Sequence, residues 1–131
     1  MTRIWGPSAR GGDGRARRLC AAAQGGPVIR LAELEIDPER VDEYRSLLAE
    51  EVEASVASEP GVLALYAVAV KGRPGTVHVF EVYADQSAYK AHLGTPHFSR
   101  YKALTADMVL SLRLIETEPV VLKDKSGTVQ G

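Results

Sequence analysis

The chain has one cysteine, Cys20, so no internal disulfide can form and no zinc site can be built on thiolates alone. No apolar run approaches the roughly 18–20 residues that span a bilayer. Neither sign of charge is in excess: 16 Lys and Arg face 17 Asp and Glu, for a net charge of −1. Nucleic acid and anionic membranes favour a basic surplus, so neither is expected as a partner. A phosphate-binding glycine loop is also missing, because Gly11-Gly12-Asp13-Gly14 precedes no strand or helix pattern. What remains is an ordinary globular balance, 45% apolar and 25% charged over 131 residues, which is room for one domain.

Residues 1–27 differ from the rest. They carry Arg3, Arg10, Arg15, Arg17 and Arg18 among six glycines from Gly6 to Gly26, with almost no apolar periodicity. Such a composition buries too little surface to offset its ordering entropy, and reads as a disordered tail. A signal peptide needs an apolar core of about 7–15 residues after its basic region; here Arg17-Arg18 is followed only by Leu19 to Ala23. A cytoplasmic location is therefore expected, unless the start is misassigned or is the remnant of a longer leader. Residues 28–119 read as the domain and 120–131 as a C-terminal tail.

Within the domain, Val28 to Ile36 reads as a strand. Asp37-Pro38 then opens a helix, Asp37 capping free N–H groups and Pro38 suiting the first turn. Val41, Tyr44, Leu48, Val52 and Val56 recur at helical steps and define its inner face, which places Glu50, Glu51 and Glu53 in water. Pro60-Gly61 ends it. Val62 to Val70 contains no charge, which predicts a strand covered on both faces. Lys71 to Gly75 reads as a turn and Thr76 to Tyr83 as the return strand, with Val77, Val79, Glu81 and Tyr83 on one side and His78, Phe80 and Val82 on the other. Asp85 caps a short helix that Gly94 stops. Thr95-Pro96 starts another, with Phe98, Tyr101, Leu104, Thr105 and Met108 as its inner stripe. Leu110 to Glu118 is the last strand, Leu110, Leu112 and Leu114 pointing inward.

The order is β-α-β-β-α-β with the second helix broken, the split arrangement of an α+β, ferredoxin-like fold. Its sheet carries helices on one face only, and the chain is too short to supply a second layer. A second copy is the simplest cover for the open face, giving a homodimer and a dimeric α+β barrel. His78 would lie at that interface.

Three stretches, Glu59-Pro-Gly-Val-Leu-Ala-Leu-Tyr66, Val79-Phe-Glu-Val-Tyr-Ala-Asp85 and Tyr89-Lys-Ala-His92-Leu-Gly-Thr95-Pro-His97-Phe98, resemble the antibiotic biosynthesis monooxygenase (ABM) family, including its quinol monooxygenase-like members. The resemblance covers about Val28 to Pro119. It implies a dimeric barrel with a pocket between sheet and helices in each protomer. Oxygenating members use neither metal nor flavin, so no cofactor is expected. Chemistry then rests on the substrate: a phenol loses its proton and its anion passes an electron to dioxygen. The protein supplies a dry pocket, an aromatic lining and a base.

His92 and His97 match the family's H-x-x-T-P-H-F stretch and are the candidate catalytic bases, because neutral imidazole accepts a phenolic proton near neutral pH. A structural role bridging the helix break is the plainer alternative. Tyr66, Glu81, Tyr83, Phe98 and Tyr101 are candidates to bind the substrate. Glu81 either faces the pocket or pairs with an arginine such as Arg30 or Arg113; each aromatic is otherwise core. A zinc site from His92, His97 and Glu81 lacks any metal-binding spacing. Haem-degrading relatives place Asn on the first strand and Trp on the third, and this chain has neither there.

The expected function is thus a cofactor-independent monooxygenase that takes a quinol or hydroxyaromatic substrate and O2. The alternative is a non-catalytic dimeric small-molecule-binding or accessory protein of the same fold. An isomerase of a small carbonyl compound is a third reading, with Arg30 or Arg113 as its cation.

Overall fold

The computed structural model describes residues 26–128. The reading of residues 1–25 as a tail, with Cys20 and Trp5, lies outside them. Four strands form one antiparallel sheet: β1 (Val28–Ile36), β2 (Val62–Val70), β3 (Arg73–Tyr83) and β4 (Val109–Glu116). Three helices connect them: α1 (Val41–Ser58), α2 (Gln86–Leu93) and α3 (Pro96–Thr105). The spatial order is β2-β3-β1-β4, so the fold is α+β and ferredoxin-like, as the element order predicts.

Local chemistry sets the boundaries. Asp37 accepts from the Glu39 N–H at 2.9 Å, capping a 3-10 turn (Pro38–Arg40) that leads into α1. Asp85 takes the Ala88 N–H at 2.8 Å at the start of α2. Thr95 takes the Phe98 N–H at 3.3 Å and restarts the helix after Gly94. These side chains satisfy first-turn donors that have no partner within the helix. The β2–β3 turn is shorter than the sequence suggests. Val70 pairs with Arg73 and only Lys71-Gly72 lie between; Gly72 makes this possible by adopting φ +82°, which a Cβ disfavours.

The helix-facing side of the sheet holds the core. Ala32, Leu34 and Ile36 of β1 and Val77 and Val79 of β3 pack against Tyr44 and Leu48 of α1 and against Met108. Two details of the helix stripes differ from expectation. On α1 the buried line is Tyr44, Leu48, Glu51 and Ser55, while Val56 is exposed. A period of 3.6 drifts backwards against steps of four, so Glu51 replaces a water-facing position with a buried one. On α3, Leu104 is exposed, and Met108 is buried in the turn beyond the helix.

The helices do not reach across β4. Leu112 and Leu114 pair in register with Leu34 and Ala32 and so share their face, yet Leu110, Leu112 and Leu114 stay 39–64% exposed. On the opposite, helix-free face, Tyr66 stacks on Phe80 at 6.4 Å between centroids, with Val68 exposed beside them. His78 lies between Glu33 of β1 and Val68 of β2 on that face. Beyond Pro119, in the segment read as a tail, a small hairpin pairs β5 (Lys123–Asp124) with β6 (Gly127–Thr128).

Candidate active site

A cavity of about 620 Å³ opens between the helix side of the sheet and the helices. Strands supply Arg30, Glu81 and Tyr83 to its lining; α1 supplies Glu51, α2 Tyr89 and His92, and α3 Phe98 and Tyr101; the uncovered leucines of β4 form its open flank. The aromatic rings make a continuous wall. Tyr83 packs edge-on against Tyr89 at 5.1 Å and tilts against His92 at 5.4 Å, and His92 meets Phe98 at 4.7 Å. Phe98 continues to Tyr101 at 6.1 Å, whose hydroxyl lies 2.6 Å from that of Tyr44.

His92 is the ring that faces both a carboxylate anchor and the cavity. Its Nδ1 lies 3.1 Å from Glu59 Oε2, which makes Nδ1 the protonated nitrogen of the neutral ring. Nε2 is then the free acceptor, and it sits 3.6 Å from Glu51 Oε2. His97 Nε2 approaches the same Glu59 oxygen at 2.5 Å. One carboxylate thus ties the two imidazoles together across the helix break. The roles of the histidines differ: His92 lines the cavity, while His97 stands outside its lining, behind Glu59 and partly exposed.

The remaining candidates divide in the same way. Glu81, Tyr83, Phe98 and Tyr101 are brought together around the cavity. Tyr66 is not: it lies on the helix-free face and is 64% exposed, because strand alternation turns Leu65, not Tyr66, towards the cavity. Glu81 does face the pocket and, among the described residues, has no ion-pair contact with an arginine. It accepts the Tyr83 hydroxyl at 2.8 Å, whereas Arg30 pairs with the exposed Glu116 at 3.3 Å and Arg113 with Glu33 at 3.7 Å. Arg30 also lies over the Tyr89 ring, 4.6 Å from its centroid.

Two carboxyls on the cavity wall are perturbed. Burial pushes Glu51 above the usual carboxylate range, against the lowering effect of the Ser55 hydroxyl and the nearby histidines. Burial likewise pushes Glu81 up, opposed by the Tyr83 hydroxyl and by Arg30. The Tyr83 and Tyr101 hydroxyls are raised as well, desolvation being the main cause in both. Glu51 Oε2 accepts from Ser55 Oγ at 3.0 Å, and its Oε1 is buried without a hydrogen-bond partner among the described residues.

Glu51 and Glu59 are the candidate site residues that reading the sequence overlooks. Glu51 is two helical turns from Tyr44, the spacing that would have placed it inward. Glu59 lies in the Glu59-Pro60-Gly61 stretch and follows the last turn of α1, its N–H bonded to the Ser55 carbonyl at 3.0 Å. Glu51, His92 and His97, not the set with Glu81, bring possible metal-ligand atoms within 4.8 Å of one another. In that set His92 Nδ1 and His97 Nε2 are engaged by Glu59.

Comparison with known proteins bears on this geometry. A family model described as antibiotic biosynthesis monooxygenase matches residues 27–104. A solved protein from Bacteriodes thetaiotaomicron, provisionally named an antibiotic biosynthesis monooxygenase, is 52% identical; the match covers 76% of this chain and 96% of that one, with a TM-score of 0.73. A Lactobacillus acidophilus protein, provisionally named a monooxygenase, is 30% identical over 71% of this chain, with a TM-score of 0.68; this chain spans 44% of that protein's length. A Mycobacterium tuberculosis protein at 22% identity and TM-score 0.65, covering 72% of this chain and 95% of that one, shares the fold. No curated protein matches the chain.

Proposed function

The chain belongs to the antibiotic biosynthesis monooxygenase family, and from that premise we propose that its cavity oxygenates a hydroxylated aromatic ring with O2, without metal or flavin. The observation that carries this reading is His92: Nδ1 is held by Glu59 and Nε2 is turned to a cavity walled by aromatic rings. In the proposed reaction the substrate hydroxyl gives its proton to His92 Nε2, and the Glu59 carboxylate stabilises the imidazolium that forms. The phenolate passes one electron to O2, and the resulting radical pair joins as a ring peroxide. Breaking its O–O bond leaves one oxygen on the ring as a quinone carbonyl and releases the other as water. Four electrons leave the substrate and four reach O2. His97 steadies Glu59 from the far side, a positioning role.

The experiment is oxygen consumption by metal-stripped protein with a panel of dihydroxybenzenes and hydroxynaphthalenes, scored against autoxidation. The expected result is a rate above blank that His92→Ala abolishes. Full activity in His92→Ala would overturn its role as base, and no rate with any compound would favour the second reading, a protein that binds the ring without turning it over. That reading draws on the same cavity.

The proposal includes a homodimer formed through the helix-free sheet face, where Tyr66, Val68 and Phe80 are exposed together. Covering such a patch removes apolar surface from water. Light scattering on eluted protein should give the mass of two chains, and Tyr66→Glu should give one.

A further inference from the structure

Glu51 Oε2 and His92 Nε2 lie side by side on the cavity wall, 3.6 Å apart and not hydrogen-bonded to each other. In the neutral ring the one N–H is spent on Glu59, which leaves a lone pair at Nε2. Among the described residues, Glu51 Oε2, 3.6 Å away, receives only the Ser55 hydroxyl, and Oε1 receives nothing. The Glu51 side chain is 6% exposed and forms part of the cavity wall. A buried acceptor left unpaired costs about 1–3 kcal/mol, and a site that tolerates the cost is built for a donor that arrives with a ligand. The carboxyl can present either oxygen, because the torsion that turns it is soft.

We propose that this pair recognises a vicinal dihydroxy ring, a catechol-type compound, one hydroxyl donating to His92 Nε2 and its neighbour to the Glu51 carboxyl. The argument is one of span. Hydroxyls on adjacent ring carbons lie about one hydrogen-bond length apart, about 2.7 Å, which matches acceptors 3.6 Å apart. Hydroxyls in the para position lie across the whole ring and cannot reach both. A lone phenol satisfies one acceptor and leaves the other bare. Phe98, tilted against His92 at 4.7 Å, and Tyr83 at 5.4 Å flank the position where the ring would sit. The inference rests on the reading that this cavity takes a hydroxylated ring, and it narrows which one.

The test is calorimetric titration under nitrogen with catechol, resorcinol, hydroquinone and phenol. The three diols share one composition and differ only in hydroxyl spacing. Catechol should bind about tenfold more tightly than hydroquinone or phenol, the worth of one further hydrogen bond. Glu51→Gln should remove most of that preference. Ser55→Ala removes the hydrogen bond that holds the Glu51 carboxyl beside His92; it should shrink the preference in part through lost positioning and serves if Glu51→Gln fails to fold. Equal affinity for the three diols, no binding of any, or a catechol preference that survives both variants would overturn the proposal. Because oxygen is absent, a chain that prefers catechol but never consumes O2 would refute the oxygenase reading and leave this one standing; turnover without the preference would do the reverse.

Discussion

Gly61 offers a direct test of how the end of α1 fixes the histidine. A Cβ built on Gly61 would lie 2.4 Å from the Ala88 Cβ and 3.4 Å from its Cα, against about 3.5–4.0 Å for relaxed carbon contact. Its φ is not positive, so an alanine there meets no backbone objection and the clash is the whole perturbation. Ala88 lies in the first turn of α2, and His92 follows one turn later on the same helix. Relieving the overlap means moving that helix by about an ångström, and overpacking of this kind costs about 1–3 kcal/mol. For a domain of this size that lowers Tm by roughly 5–20 °C. Ala88→Gly removes the opposing methyl and by itself costs about 0.5–1 kcal/mol through helix propensity. The double variant should therefore be more stable than Gly61→Ala alone, with a coupling of about 1–2 kcal/mol in a thermal or urea denaturation cycle. Strictly additive effects would refute the claim that this contact sets the approach of α2 to the chain after α1.

Two further outcomes follow from the carboxylates. The folded chain holds Glu51 above its ordinary value of 4.5, so it keeps a proton that the unfolded chain has lost, and stability falls as pH rises from about 4.5 through the folded value. Glu51→Gln has no such proton: its denaturation midpoint should match wild type below about pH 4 and exceed it at neutral pH, and the opposite order would refute the burial argument. Glu59→Gln removes the charge that both imidazoles address; turnover of a productive substrate should fall about tenfold or more with KM little changed, and an unchanged kcat would remove Glu59 from the mechanism.

The strands β1 and β2 and the caps of α2 and α3 were legible because each rests on a local rule: uncharged or alternating β-branched runs, and Asp or Thr followed by a bare N–H. The β2–β3 turn was less so, since Pro74 and Gly75 look like turn residues but sit inside β3. Pro74 is tolerated at the strand's first residues, where a missing donor matters little. The burial of Glu51 was hidden by its type: a glutamate beside Glu50 and Glu53 reads as surface, and only its two-turn distance from Tyr44 argues otherwise. The side that Tyr66 takes is not legible, because Val62 to Val70 is apolar on both sides and polarity cannot say which side faces the helices; the register with β3 decides it. Without three-dimensional contacts, nothing in the spacing of His92 and His97 tells which one reaches the cavity.

Glu51 interrupts the buried stripe of α1, and Glu81 interrupts the inner row of β3 between Val79 and Tyr83; each breaks the pattern that otherwise builds the core. Burial raises both, so the fold gives up stability at two positions where leucine would pack without that cost. Their separation along the chain makes a common accident a poor explanation, because helix and sheet bring both to the same cavity wall beside His92 and Tyr83. Glu81 is answered from within by the Tyr83 hydroxyl, whereas Glu51 keeps one oxygen unanswered. The first is a finished structural bond and the second an open valence. On that difference Glu51, rather than Glu81, is the carboxyl through which a ligand should make itself felt.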